Sequence, residues 1–381
     1  MINFILVFFA NVFFSAPSII LVVATSHLGG FNDAAMLGAA FSICAPIQLF
    51  FSMQHNVSIL SGKLSFKESL STRVRLVVPF LLFGLLGSIV FSSQIVFWFF
   101  LYRCAEFLYE PVLCEGIRAG KYRSVFIASL LRCALFSVIV FSSLYFGADL
   151  HVALLIVGVV FSLLTLKFAY IAFNEAVPSW GGFVLGAAAF FSSVIVNIPR
   201  YFVVGADAPF AGFYSSMLTL VLGGGLLYGA FNNYFFPRFI ASGNIGVMKF
   251  LNMSLVVFLG GMLLSYGLFS GTVFSKLFLA TFLGDKYLVY FQFVMGFACF
   301  YFVMYFHAAL NFIFVFLCLS KTYMVSLIAY GVCMAVFIFF GLEYYKAEYS
   351  HLIWMVVCFG VIYAGACYFF LRVKLVGGQC K

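Results

Sequence analysis

The chain has 381 residues, of which 65% are hydrophobic and only 8% are charged, and its mean hydropathy is +1.18. Soluble globular proteins carry about 25% charged residues, so this composition excludes that class and indicates a membrane protein. The formal net charge of +9 taken alone would allow nucleic-acid binding. Cytoplasmic loops of membrane proteins also collect Lys and Arg, however, and that tendency accounts for the excess.

Apolar segments of about 20 residues, the length that crosses a bilayer, recur along the whole chain. Gly, Ser, Asn and charged residues separate them. The segment 274–286 is amphipathic and is expected to lie at the membrane interface. The sequence therefore predicts an all-α integral membrane protein with about 12 transmembrane helices, the first of them uncleaved. The predicted spans are residues 3–24, 35–54, 75–92, 94–114, 124–146, 151–173, 180–203, 210–236, 250–270, 287–318, 323–342 and 350–372.

The charged residues between the spans favour an even number of crossings. Short loops that are rich in Lys and Arg stay in the cytoplasm. With both termini cytoplasmic, the predicted external segments hold only Lys276, Lys286 and Lys346. We therefore expect both termini in the cytoplasm. The predicted cytoplasmic segments hold thirteen basic residues, namely Lys63, Lys67, Arg73, Arg75, Arg118, Lys121, Arg123, Arg238, Lys249, Lys321, Arg372, Lys374 and Lys381.

Two short segments, 33–42 and 207–216, share Asp, Ala, Gly and Ser at a constant offset of 174 residues. Each follows a predicted external loop and opens an even-numbered span. Four matches among such common residues also arise by chance. If the offset reflects a repeat, the chain consists of two six-helix halves, residues 1–176 and 177–381. Internal repeats of this kind are typical of transporters, with the substrate site between them.

Basic side chains inside the predicted spans are the first candidate functional residues. A central Arg or Lys costs about 2.5–3.5 kcal/mol on membrane-insertion scales, so each one needs a reason to be there. The four are Arg103, Arg132, Lys167 and Arg200. Lys167 lies near the end of the sixth span, and its long stem is expected to reach the interface. The others favour a cationic surface that meets an anion inside the membrane.

Arg103 shares one helical face with two carboxylates, Glu106 and Glu110, at spacings of three and four residues. Such a group can bind an ion or a proton, since neighbouring carboxylates raise each other's pKa. It can equally fasten neighbouring helices as an ion-pair network. Arg132 has no acidic residue within a turn or two on its own span. It is expected either to pair with Glu106 or Glu110 across helices or to meet a substrate anion.

Two prolines are placed where a helix can bend. Pro199 precedes Arg200 near the outer end of the seventh span, and Pro17 lies late in the first span. Proline removes an amide donor and frees a backbone carbonyl. An Arg beside such a bend is a good phosphate ligand, because its planar fork binds oxygens in pairs. The alternative for Arg200 is that its side chain reaches the outer interface.

The ten cysteines and five histidines form no cluster at metal-ligand spacing, and no phosphate-binding loop or nucleophile motif occurs. The sequence therefore predicts neither a catalytic nor a metal site, and no cofactor.

The chain resembles the Wzx-type polysaccharide flippases of the multidrug/oligosaccharidyl-lipid/polysaccharide exporter superfamily. The resemblance covers most of the chain, with twelve spans in similar order. Three local patterns carry it: residues 197–201 followed by Gly212-Phe213-Tyr214, residues 232–239, and Arg103 to Glu106 continuing into the basic loop 116–123. The chain departs from the family at its start, where Met1 nearly opens the span and Thr25-Ser26 replace a basic residue.

The resemblance implies a flippase that moves an undecaprenyl-pyrophosphate-linked oligosaccharide repeat unit across the bacterial inner membrane, for O-antigen, lipopolysaccharide or capsule synthesis. It implies two six-helix bundles around a central cationic cavity that opens alternately to each side. Arg132, Arg200 and Arg103 are then the candidate pyrophosphate ligands, and Glu106 and Glu110 the candidates for coupling to an ion gradient. Expected partners are the lipid-linked oligosaccharide, membrane lipids, and the polysaccharide polymerase and chain-length machinery, without nucleic acid.

Two alternatives stay open from the sequence. An integral-membrane polysaccharide polymerase or ligase usually has a large external loop with catalytic Arg or His, and no predicted external loop here is that long. A multidrug exporter of the same superfamily is expected to have a net acidic cavity, whereas basic residues outnumber acidic ones inside these spans.

Overall fold

The computed structural model describes residues 2–53, 55–60, 64–203, 207–240, 242–317, 319–343 and 351–376. Over these ranges the chain is all-α, and the loop cations Lys63, Lys346 and Lys381 lie outside them. A 3-10 helix, Asp285–Phe293, precedes α12. The helices are α1 (Ile2–Leu28), α2 (Phe31–Ser52), α3 (His55–Leu60), α4 (Phe66–Val90), α5 (Gln94–Arg118), α6 (Tyr122–Tyr145), α7 (Leu150–Glu175), α8 (Phe183–Val203), α9 (Ala208–Ile240), α10 (Gly243–Phe269), α11 (Thr272–Phe282), α12 (Val294–Phe316), α13 (Ser320–Glu343) and α14 (Leu352–Val376).

Each predicted span matches one long helix of the described chain. Ten of these helices are long and apolar enough to cross a membrane. The two remaining long helices, α5 and α9, match predicted spans as well. The two short helices are α3, which follows α2, and α11, which follows α10. The prediction of an all-α, multi-pass membrane protein is confirmed.

The start of α4 corrects one sequence prediction, which placed Arg73 in a cytoplasmic loop. Helix α4 begins at Phe66 because Ser65 and Glu68 form a capping box, in which each side chain bonds the backbone amide of the other. Helix α4 packs on α5 and α7, and Arg73 bonds Phe107 and Glu110 of α5. Arg73 is consequently 0% exposed. Its loop assignment was wrong because the cap extends the helix beyond the apolar segment.

By its internal contacts the chain divides into two compact units, residues 1–216 and 217–381. In the first unit α1 packs on α6, α5 on α4 and α7, and α2 on α8. Phe80 sits between two other buried rings of this unit, with centroids 5.0 Å from Phe100 and 5.6 Å from Phe107. In the second unit α12 packs on α10 and α14. The proposed boundary between six-helix halves at residues 176 and 177 stays a prediction.

Helix α11 covers most of the segment 274–286, whose interfacial position stays a prediction. Val273 and Leu277 are exposed, whereas Ser275 and Leu279 on the opposite face are buried. The following 3-10 helix occupies the first seven residues of the predicted tenth span, and α12 begins only at Val294.

Candidate functional site

The first polar cluster surrounds Glu106 in the middle of α5. Arg103 lies one turn earlier and forms an ion pair with Glu106, donating a hydrogen bond to Oε2. The Tyr102 hydroxyl donates to the other carboxylate oxygen, Oε1. Arg103 also donates to Ser18 Oγ on α1 at 3.2 Å and to Gln48 Oε1 on α2 at 2.9 Å. Both oxygens of Glu106 therefore have donors, and Arg103 joins three helices.

The second cluster holds Glu110, one turn further along α5. Its Oε2 accepts a hydrogen bond from Arg73 Nη1 at 2.7 Å, and its Oε1 accepts one from Asn56 Nδ2 at 2.5 Å. Arg73 also donates to Asn56 Oδ1 at 2.8 Å and to the Phe107 carbonyl at 2.5 Å. The two carboxylates are thus divided between separate ion pairs. The Glu110 pair fastens α3, α4 and α5 together.

Arg132 lies in the middle of α6, about 15 Å along the axis from the first residue of that helix. Its guanidinium carbon is 3.9 Å from the Tyr109 ring centroid and 4.6 Å from that of Phe161. Within the described ranges it donates no hydrogen bond and has no carboxylate within 4.0 Å. Of the two alternatives, the ion pair with Glu106 or Glu110 is therefore not formed. The guanidinium is held by ring faces instead.

Arg132 and Glu106 border the same small pocket inside the first unit. The pocket has a cavity volume of about 10 Å³, room for about one water molecule, and is partly open. Its polar lining consists of Tyr102, Glu106 and Arg132, and the rest of its wall is four phenylalanines and Pro17. We call this the Arg132 pocket. It brings together three of the residues predicted from the sequence, Arg132, Glu106 and Pro17.

Arg200 is buried inside the protein, with only 2% of its surface exposed, so its side chain does not extend outward. Its Nη1 donates a hydrogen bond to Asn197 Oδ1 at 2.8 Å, and its Nη2 donates one to the Ser215 carbonyl at 2.8 Å. The guanidinium also lies 5.9 Å from the Phe41 ring centroid. Arg200 therefore links α8 to the first turns of α9, close to the Phe41 ring of α2.

Helices α2 and α9 approach each other closely beside Arg200. A Cβ atom on Gly38 would lie 2.1 Å from the Cβ atom of Ser215, so only glycine fits there without a shift. Next to Ser215, the Ser216 hydroxyl oxygen lies 3.2 Å from that of Ser26 on α1. The backbone of α2 therefore comes close to α9 at Gly38.

The two segments that share the 174-residue offset both lie at the start of a long helix. At α2, the Gly30 amide donates to Asp33 Oδ2 at 3.2 Å. At α9, the Phe210 amide donates to Asp207 Oδ2 at 3.4 Å. An acidic side chain at a helix start satisfies amides that have no helical partner. The shared aspartates thus have a similar local role, while the repeat itself stays a prediction.

The remaining predicted residues fall into two groups. Pro17 and Pro199 lie inside helices that run through them, so the carbonyls of Phe13 and Ile195, four residues earlier, lose their usual amide donors. Lys167 is exposed on α7, as an anchoring residue would be. The side chains at 232, 237 and 238, which belong to one pattern of the resemblance, are outside the described part.

Sequence reasoning missed several polar partners. Gln48 is an amide inside the second predicted span, and this alone could have marked it as a partner for a buried charge. Asn56 and Arg73 were assigned to a loop, so nothing indicated that they meet Glu110. Tyr102 sits next to Arg103 in the sequence, but only the helical turn shows that its hydroxyl reaches Glu106.

The second unit holds a polar cluster that the sequence did not indicate. His307 Nε2 lies 3.1 Å from the Gly360 carbonyl oxygen, and its ring centroid is 5.1 Å from that of Tyr363. Tyr363 stacks on Tyr330 at 4.5 Å, and its hydroxyl lies 3.0 Å from Ser326 Oγ. This histidine therefore joins α12, α13 and α14 rather than standing alone.

Solved structures of known transporters share this fold. The eukaryotic MATE transporter AtDTX14 superposes with a TM-score of 0.66 at 13% identity, over 97% of this chain and 96% of that one. An inward-facing multidrug resistance MATE family transporter of the MOP superfamily gives 0.63 at 12% identity, over 95% of both chains. An outward-facing structure of such a transporter gives 0.59 at 12% identity, over 98% and 94%.

No protein-family profile and no curated protein matches the sequence. At identities this low, structural likeness establishes the fold alone. The chain is a multi-pass membrane protein with the all-α fold of MATE transporters, built from two helical bundles. Of what the resemblance implies, this likeness bears out the fold alone.

Proposed function

We propose that this protein is a flippase for an undecaprenyl-pyrophosphate-linked oligosaccharide repeat unit, acting in the bacterial inner membrane in O-antigen or capsule synthesis. The observation that carries the proposal is the charge balance inside the first unit. In helices α1 to α8, beyond their first and last turns, two acidic residues, Glu106 and Glu110, stand against five basic ones, Arg73, Arg75, Arg103, Arg132 and Lys167. Arg200 adds a buried positive charge in the last turn of α8. A positive surplus within lipid favours an anionic substrate over a cationic one. Pyrophosphate is such an anion, and arginine binds its oxygens in pairs.

The three arginines proposed as pyrophosphate ligands are unequal in this role. Arg132 donates to no acceptor among the described residues and borders a small, partly open pocket. Arg103 is shared between Glu106, Ser18 and Gln48, so a phosphate must compete with three acceptors. Arg200 is almost fully buried and already donates to Asn197 and Ser215. We therefore assign the principal anion contact to Arg132 and expect Arg103 and Arg200 to act after a conformational change.

Ion coupling, if the transport is coupled, is assigned to Glu106 ahead of Glu110. Glu106 borders the Arg132 pocket, so a proton or cation that reaches the pocket can reach its carboxylate. Pro17 borders the same pocket, and the bend that proline permits in α1 would change the access to it. Glu110 is paired with Arg73 and Asn56 in a separate cluster.

The side of the membrane on which the substrate accumulates tests the proposal. In cells that lack the protein, complete lipid-linked repeat units should accumulate and stay protected from a membrane-impermeant glycosidase added to spheroplasts. Expression of the protein should restore their exposure and the surface polysaccharide. Repeat units that accumulate in accessible form would refute the proposal and favour the polymerase or ligase, which acts after flipping. Cofractionation with the polymerase and chain-length proteins would test the proposed partners.

The second candidate function is multidrug export, because the structures of similar fold include transporters described as multidrug resistance proteins. Cells that express the chain would then extrude cationic dyes and survive higher drug concentrations. The surplus of arginines in the first unit argues against a cationic cargo. Dye efflux without any effect on lipid-linked repeat units would favour this candidate.

A further inference from the structure

The short segment 176–182, which joins α7 to α8, is fastened to the start of α4. The Ser71 hydroxyl donates a hydrogen bond to the Ala176 carbonyl at 2.8 Å. The Ser179 amide donates one to Thr72 Oγ1, also at 2.8 Å. Both hydroxyl side chains of α4 are fully buried. One side of the segment is therefore held by the protein.

Exposed apolar side chains flank this segment along the chain and also belong to it. Trp180 and Val177 lie in the segment and are 52% and 78% exposed. Tyr170 and Phe173 lie in the last two turns of α7, Phe183 begins α8, and all three are exposed as well. We call these five residues the α7–α8 patch. Trp and Tyr concentrate where a membrane meets water, because their rings are apolar and their polar atoms can bond headgroups.

A basic side chain of α4 lies against this patch. The Arg75 guanidinium carbon is 5.6 Å from the Phe173 ring centroid, and the Arg75 side chain is exposed. A ring face orients a guanidinium but accepts few hydrogen bonds, so an anion at the surface can bind its N–H donors. Lys167 is exposed on α7 three residues before Tyr170, and the two therefore share a helical face.

Apolar surface continues from the contact between Arg75 and Phe173 along both helices, which pack on each other. The exposed side chains recur at spacings of three or four residues, so each row follows one helical face. A cation at one end of an apolar surface matches a phospholipid, which has a charged headgroup and apolar chains. The exposed rows are Val78, Leu82 and Leu86 on α4, and Leu166, Leu163 and Val159 on α7.

We propose that Arg75 and the α7–α8 patch bind one anionic phospholipid, with its phosphate at Arg75 and its acyl chains along α4 and α7. Lys167 supplies a second positive charge for the same headgroup. The predicted topology puts Arg75 on the cytoplasmic side, where anionic lipids give the membrane surface a negative potential. The lipid covers the exposed side of the segment that leads into α8. This site lies on the outer surface of the helices and does not depend on what the protein transports.

Native mass spectrometry of the purified full-length protein measures its affinity for phosphatidylglycerol and for zwitterionic phosphatidylcholine. We expect the wild type to prefer phosphatidylglycerol. Arg75→Gln should lower the affinity for phosphatidylglycerol about fivefold, the effect of one basic residue near an anionic surface, and Arg75→Lys should retain most of it. The matched control is Arg372→Gln on α14, since Arg372 is also exposed and predicted to be cytoplasmic.

The fluorescence of Trp180 shows where the lipid binds. Replacing Trp98 and Trp354 by phenylalanine leaves Trp180 as the sole tryptophan of the chain. Phosphatidylglycerol that is spin-labelled near its headgroup should quench Trp180 more strongly than equally labelled phosphatidylcholine. Adding Arg75→Gln should abolish the difference between the two lipids.

Three results would overturn the proposal. The first is equal quenching by the two lipids in the wild type, or an unchanged preference for phosphatidylglycerol in Arg75→Gln. The second is a melting temperature that Arg75→Gln lowers equally with and without phosphatidylglycerol, because Arg75 would then only fasten α4 to α7. The third is release of the spin-labelled lipid by inorganic phosphate alone, which would identify a free-anion site instead of a lipid site.

Discussion

Replacing Glu110 by glutamine removes the charge that compensates the fully buried Arg73. Arg73 is 0% exposed, with Glu110 Oε2 at 2.7 Å and two further acceptors at 2.8 Å and 2.5 Å. Removing one partner of a buried ion pair costs about 3–5 kcal/mol. Glutamine keeps one acceptor oxygen, and the Glu110 side chain is 24% exposed. We therefore expect Glu110→Gln to lower the free energy of unfolding by about 2–3 kcal/mol.

Thermal unfolding of the purified protein measures this loss, and two further variants sharpen it. Replacing both partners, as Arg73→Leu with Glu110→Leu, should recover most of the stability, because no unpaired charge is left behind. Glu115→Gln is the matched control on the same helix, since its pair with Arg118 is partly exposed and worth about 0–1 kcal/mol. If Glu110→Gln unfolds like the wild type but abolishes transport, Glu110 is a coupling residue and the structural assignment is refuted.

Three further predictions concern buried residues of the first unit. Gly38→Ala should lower the free energy of unfolding by about 1–3 kcal/mol, because the added Cβ overlaps Ser215. Ser215→Gly, combined with it, should restore the stability. Losses that simply add in the double variant would contradict this. Arg200→Gln should lower the free energy of unfolding by about 2–3 kcal/mol, because the Asn197 and Ser215 oxygens lose their charged donor. Unchanged stability would show that Arg200 does not fasten α8 to α9. His55 lies in α3, outside the spans. Burial is the main cause, and the nearby charge of Arg73 the second, that lowers its pKa from 6.5 to about 4. The unfolded chain binds that proton first, so stability should fall as the pH drops from about 6.5 to 4, and His55→Gln should flatten the fall.

The sequence predicts the positions of the long helices well, because bilayer thickness demands about 20 apolar residues per span and loops break the pattern. The predicted helix boundaries are wrong where polar residues extend a helix beyond its apolar segment. The third span was placed from residue 75, since apolar content begins there, whereas the capping box at Ser65 starts α4 nine residues earlier. For that reason Arg73 was predicted in a loop, whereas the structure places it in a buried ion pair with Glu110.

The candidate site was predictable as a set of charges but not as a set of pairs. The spacing of Arg103 and Glu106 placed both on one face, and the structure pairs them. The same spacing grouped Glu110 with them, yet its carboxylate forms an ion pair with Arg73 of α4. Which helix lies beside α5 depends on tertiary packing, which no local pattern encodes. The burial of Arg200 was missed for the same reason, since its acceptor Ser215 belongs to the next helix.

We propose that this protein carries an anionic lipid-linked oligosaccharide across the bilayer. The most direct measurement reconstitutes the purified protein into liposomes with a labelled undecaprenyl-pyrophosphate oligosaccharide and adds a membrane-impermeant glycosidase. We expect the whole labelled pool to become accessible with the wild type, while vesicles without protein, or with Arg132→Gln, keep their inner pool protected. The proposed flippase function would be contradicted if the inner pool stays protected while the same protein actively transports a cationic dye.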